Sequence, residues 1–127
     1  MIVRENTVIP MTPYENHETY EGYAVISNGG KSTIAGSGAT TKPIGVIAEG
    51  EDTDGVDSVV LFGSAKVVKV KLVGTVAQFA YGQLYTDGVR FVTDAGSGGR
   101  VVCVQFLEAG VSGDLVDAIL ITPVSYS

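Results

Sequence analysis

Apolar residues recur along most of the chain at a spacing of two, in short runs broken by Gly, Asn and Asp. The clearest run is Lys66-Val67-Val68-Lys69-Val70-Lys71-Leu72, which puts Val68, Val70 and Leu72 on one face and Val67, Lys69 and Lys71 on the other. That is the alternation of a half-buried strand with its lysines toward water. Runs of the same kind predict strands at 22–27, 44–48, 57–62, 66–73, 83–86, 89–93, 100–107 and 115–122, and no helix longer than a turn or two. Asp87-Gly88 lies between two β-rich runs and predicts a tight hairpin, because both central positions of such a turn need residues that tolerate positive φ. The fold class expected is all-β: a small Gly-rich barrel or sandwich of about eight short strands, in one closed or nearly closed sheet, with an extended N-terminal arm.

The arm covers residues 1–20 and the core 21–127. Ile2 to Ile9 can extend as a strand, while Pro10 and Pro13 remove backbone donors and suit an edge or a free arm rather than a central strand. A weak internal echo links 44–61 to 102–121: each reads strand, Glu, Gly-containing loop, strand. Two hairpins obeying the same turn chemistry account for it without a duplication.

Composition narrows the function. The 127 residues hold 17 Gly, a charged fraction of only 17 % and a net charge of −6, so a nucleic-acid-binding surface would have to be assembled against the prevailing field. One Cys and one His leave neither a disulfide nor a zinc site within the chain. No apolar run approaches the length that spans a bilayer, and MIVRENTVIP lacks the apolar stretch of a signal peptide, so synthesis in a cytoplasm and no membrane partner are expected.

Candidate chemistry is sparse. Asn28-Gly29-Gly30-Lys31-Ser32-Thr33 ends like a phosphate loop, but Val25 stands where that loop needs Gly, and a turn between two strands explains the residues. The run from Glu49 to Asp57 holds five carboxylates without a cation; it fails the calcium-loop pattern twice, with Gly50 at the first ligand position and Leu61 at the last, leaving a solvated loop or an irregular cation site. Ser37 and Ser97 sit between glycines outside any nucleophile motif, the one imidazole is His17 in the arm, and Cys103 lies among Val101, Val102 and Val104 as a small apolar group. No catalytic residue, cofactor site or metal site is assigned, and an enzyme is not expected. Tyr14, Tyr20 and Tyr23 cluster where arm meets core, either as interface anchors or as rings covering an open barrel end.

These phrases carry a resemblance. Pro43 to Gly50, Val59-Val60-Leu61-Phe62, the Lys-Val-Lys strand between Gly63 and Gly74, Tyr81 to Gly88, Leu107 to Gly110 and Gly113 to Ile121 resemble the head decoration, or capsid cement, proteins of tailed bacteriophages, in pattern over about residues 22–123. The resemblance implies a structural virion protein on the outer surface of an icosahedral capsid, made in the host cytoplasm. It would bind the major capsid protein, commonly as a homotrimer, and bridge neighbouring capsid subunits. It also implies an arm that docks on the capsid, and the residues assigned to that contact are Ile2, Val3, Arg4, Thr7, Val8, Ile9 and Tyr14. The competing function is a head fibre or host-attachment domain that recognises a surface glycan or ion.

Overall fold

The computed structural model describes residues 8–12, 20–34, 43–49 and 57–126. All regular structure among them is β: β1 (Val8–Met11), β2 (Ala24–Asn28), β3 (Lys31–Ile34), β4 (Gly45–Glu49), β5 (Asp57–Leu61), β6 (Val67–Lys71), β7 (Tyr81–Leu84), β8 (Phe91–Thr93), β9 (Arg100–Phe106) and β10 (Leu115–Tyr126). Each of the eight expected strands has its counterpart, displaced by up to a few residues. The single closed sheet does not: there are two antiparallel five-stranded sheets, ordered β1-β5-β4-β2-β3 and β6-β10-β9-β7-β8.

The second sheet curls until its edges meet. Leu72, just past β6, bridges Phe91 of β8 in parallel, and the Val73 N–H donates to the Phe91 carbonyl at 2.8 Å. Its inner face holds Val68, Val70, Leu72, Leu84, Phe91, Val104, Phe106, Ala118 and Leu120. Ala24, Val46 and Val60 of the first sheet join that core, so the two sheets share it. Backbone bonds add to the packing: the Ala24 N–H donates to Val89 at 2.8 Å, and the Lys71 N–H to Gly22 at 3.1 Å. The alternation read in β6 is borne out, with Val68, Val70 and Leu72 buried and Val67 and Lys69 exposed.

Pro123 lies where β10 slips against β9, between the pairs Leu120↔Val104 and Val124↔Val102. A residue without an N–H is tolerated there because the ladder is already interrupted.

The two sheets repeat one another. Relabelled in chain order, both read first-fifth-fourth-second-third. Registers agree over most of their length: a shift of 58 residues carries Ile9 onto Val67, Ala24 onto Gly82 and Val46 onto Val104, and a shift of 60 carries Val59 onto Ile119 and Val60 onto Leu120; Gln83 departs from it, pairing with Val102 where Val25 pairs with Gly45. The echo seen in sequence is thus the β4–β5 and β9–β10 pairs, at the same place in each sheet. Shared turn chemistry accounts for two hairpins but not for five strands in common register, so the repeat is a property of the whole unit.

The two hairpin tips differ. Gly29 (φ 60°) and Gly30 (φ 82°) join β2 to β3 in a two-residue loop that needs positive φ at both places. At the corresponding tip Gly88 alone has positive φ (75°), and its N–H donates to Tyr85 at 2.9 Å. The hairpin expected at Asp87-Gly88 is therefore present but closes through a wider turn, because Asp87 acts through its carboxylate. Oδ1 accepts from the N–H groups of Val89 and Arg90 at 3.0 and 3.1 Å, and Oδ2 from Arg90 Nε at 2.6 Å.

Candidate functional site

The residues assigned to the capsid contact divide into two groups. Ile2, Val3, Arg4, Thr7 and Tyr14 lie outside the described residues, as do His17, Ser37 and the loop 50–56. Val8 and Ile9 belong to β1, which pairs antiparallel with β5 through Val8↔Val60 and Ile9↔Val59. Pro10 sits in this strand opposite Ser58, on the edge of the sheet, which is where its missing N–H does least harm. The described part of the arm, Val8–Met11, is therefore knitted into the first sheet as its edge strand.

Of the aromatic cluster, Tyr20 and Tyr23 stack with ring centroids 5.1 Å apart. Both are partly buried: Tyr20 packs on the apolar cluster of Met11, Val25, Ile47 and Val59, and Tyr23 on the shared core. Cys103 is fully buried, and burial pushes its thiol pKa far up, which leaves it an apolar filler as the sequence suggests. Among the described residues no cleft encloses a small molecule and no three His, Cys, Asp or Glu side chains gather as a metal site.

What sequence reasoning missed lies on the outer face of the second sheet. The registers Tyr81↔Gln105, Gln105↔Ile119 and Ile119↔Val67 line these side chains up in one row across four strands. Val67 is 54 % exposed and Tyr81 52 %, with Ile119 and Gln105 half-buried between them. Phe79, in the turn before β7, is 60 % exposed and has a φ of +68°. Left-handed backbone costs a side-chain-bearing residue on the order of 1 kcal/mol and persists only where neighbours enforce it. Here the Phe79 N–H donates to Phe106 at 2.7 Å, and Gln105 Nε2 donates to the Phe79 carbonyl at 3.1 Å.

The turn that precedes β2 in the first unit, related to this one by a shift of 57 residues and so one residue out of step with the strands, explains why this is unusual. Ala77 to Ala80 is closed by an Ala80 N–H bond to Ala77 at 3.2 Å, and Tyr20 to Tyr23 by a Tyr23 N–H bond to Tyr20 at 3.1 Å. The third residue has positive φ in both turns, Phe79 in one and Gly22 (φ 84°) in the other. Glycine is the ordinary occupant of such a position. The only signal in sequence was the alignment of the two turns, which needs the repeat to be known first.

A charged row flanks the apolar one. Lys69 Nζ lies 3.1 Å from Asp117 Oδ1 and 3.9 Å from Glu108 Oε1, and the bond to Asp117 with its charge raises the Lys69 pKa. Glu108 Oε1 also accepts from the Asp117 N–H at 2.7 Å. Lys71 stands on the same face of β6. The face thus offers aromatic and aliphatic surface beside charges of both signs.

Comparison with known proteins adds no assignment: no family model matches the chain, and no curated protein matches it.

Proposed function

We propose that this protein is a capsid-stabilising structural protein: it binds the outside of an icosahedral phage shell through its N-terminal arm, with the major capsid protein as partner and a homotrimer as its bound form. The observation that carries this reading is the attachment of the arm. A cement must transmit tension from its contact into a rigid body, and the pairing of β1 with β5 over Val8 to Met11 supports such a role. Force applied to residues 1–7 is then shared by a ladder of backbone hydrogen bonds rather than borne by a loose tether. Ile2 and Val3 have the β-branched character to add a strand to an exposed sheet edge on the shell. Three arms on one trimer would turn weak single contacts into a tight hold by raising effective concentration.

The test is to count copies bound to purified expanded shells for the full chain and for the double variant Ile2→Asp, Val3→Asp, which leaves β1 intact. Saturable binding in multiples of three, lost in the variant while its unfolding midpoint is unchanged, is the expected result. Binding that survives both substitutions overturns the arm contact. A chain that ignores shells and binds a cell-surface glycan is an attachment domain instead.

A further inference from the structure

The outer face of the second sheet has an internal standard against which to be judged. In the first sheet the equivalent row is Ile9, Val59 and Ile47, joined by the registers Ile9↔Val59 and Ile47↔Val59. Most of that row is covered within the molecule: Val59, Ile47 and the adjacent Val25 have no exposed surface, and Ile9 at its end is half-buried. The second unit keeps aliphatic residues at two of the three places, Val67 and Ile119, and ends the row on Tyr81; Val67 and Tyr81 are exposed, and Ile119 and Gln105 are half-buried among the described residues. Its other changes are apolar to polar: Ile47 corresponds to Gln105, Val25 to Gln83 and Met11 to Lys69. A face so altered is soluble when free yet still offers apolar surface to a partner, which is the character of a contact that forms after folding.

Charge argues for what covers it. The chain carries −6, so two copies repel one another over most of their surface. On this face Lys69 is matched by Asp117 and Glu108 and Lys71 adds a second cation, so like-charged chains can approach here without net repulsion. A strongly basic or strongly acidic partner would gain nothing from so balanced a rim. Phe79 adds the third element, an exposed ring retained at a backbone conformation that glycine would adopt without strain.

We propose that the outer face of the second sheet, carried by Phe79, Tyr81, Ile119 and Val67, is the surface on which a second copy of this chain docks. It supplies one side of the subunit contact of the homotrimer, and rests on the capsid reading only for the number three. The experiment is sedimentation of the full-length chain over a wide concentration range, beside Phe79→Gly, which removes the ring and relieves the backbone, and Val111→Ser, which removes exposed apolar surface in the β9–β10 loop. The expected result is a mass that rises from one chain to an oligomer. In Phe79→Gly the midpoint should move to at least about tenfold higher concentration, with no fall in thermal midpoint, while Val111→Ser behaves as the parent. A parent chain that stays at the mass of one copy overturns the proposal, as does Phe79→Gly associating like the parent. Shell binding is scored separately: association without any shell binding overturns the capsid reading and leaves this contact standing, and shell binding by a chain that never self-associates does the reverse.

Discussion

The two sheets share strand order and register yet differ in what they do with their outer faces. In the first, Met11, Val25, Ile47 and Val59 make a second apolar cluster behind the shared core. In the second, the corresponding positions are Lys69, Gln83, Gln105 and Ile119: Lys69 is exposed, Gln105 and Ile119 are half-buried, and Gln83 is buried with its Oε1 accepting from the Ala95 N–H at 2.8 Å. Three of these four side chains differ, while the ladders share their strand order and differ in where they slip. The strand order is therefore set by the inner face, which both units keep, while the outer face is free to become a second core or to stay open.

Exchanging residues between the units should break this comparison most sharply at Ile47. Ile47→Gln gives the first sheet the amide of the second, but at a place with no exposed surface. Lost burial and a buried amide without assured partners together predict a destabilisation of about 3 kcal/mol or more, read as a lower urea midpoint. The reverse exchange, Gln105→Ile, removes an exposed bond to the Phe79 carbonyl and should cost less than about 1 kcal/mol. Equal effects in the two variants would mean that the outer faces are not distinguished by burial.

Next in size is an exchange whose two halves should have opposite signs. A Cβ on Gly22 would lie 2.6 Å from Leu115 Cδ2 and 2.9 Å from the Lys71 backbone nitrogen, in left-handed backbone. Gly22→Ala should therefore cost about 2 kcal/mol, because the turn must withdraw from β6 and weaken the Lys71 bond to Gly22. Phe79→Gly relieves the same backbone strain where the ring is exposed, and should raise stability by up to about 1 kcal/mol. Thermal unfolding of both variants decides this. A drop in each would show that the Phe79 ring contributes packing in the monomer.

That pair also shows where the sequence is legible. Period-two alternation located β6 and the other long strands, because a strand with one buried face must alternate. β3 was missed: Lys31-Ser32-Thr33-Ile34 is polar apart from its end and follows a Gly-Gly turn that a loop would use equally well. The outer row was missed for a different reason. Val67, Tyr81, Gln105 and Ile119 are unremarkable singly and become neighbours only through three registers, one of them next to the slip between Gly82 and Gln83. Nor does a sequence reveal φ, so Phe79 reads as one aromatic among many until its turn is aligned with that of Gly22.

The smallest effect concerns acid. The first unit closes its β2–β3 tip with Gly29-Gly30, which carries no charge, whereas the second closes the equivalent tip with Asp87. Burial by itself would raise the Asp87 carboxyl, but the N–H of Val89, the Arg90 side chain and the N–H of Arg90 together hold it below its ordinary value of 3.8. Asp94 behaves alike: burial raises it, while the Gly96 N–H and then Arg100, 2.5 Å away, bring it below that value. A carboxylate whose pKa is lower in the folded state binds fewer protons there than when unfolded. Its contribution is complete above the ordinary carboxylate range and is lost as pH falls through the folded pKa. Asp87→Asn and Asp94→Asn should each flatten the decline of stability below about pH 4, with little pH dependence of their own change between pH 6 and 8. Both sites are partly open to solvent, so each effect should be smaller than those at Ile47 and Gly22. Because both lie in the second unit, hydrogen exchange at low pH should open the β7–β8 tip before the Gly29-Gly30 tip in the parent chain, and the order should narrow in Asp87→Asn. An unchanged order in that variant would place the acid-sensitive group outside this hairpin.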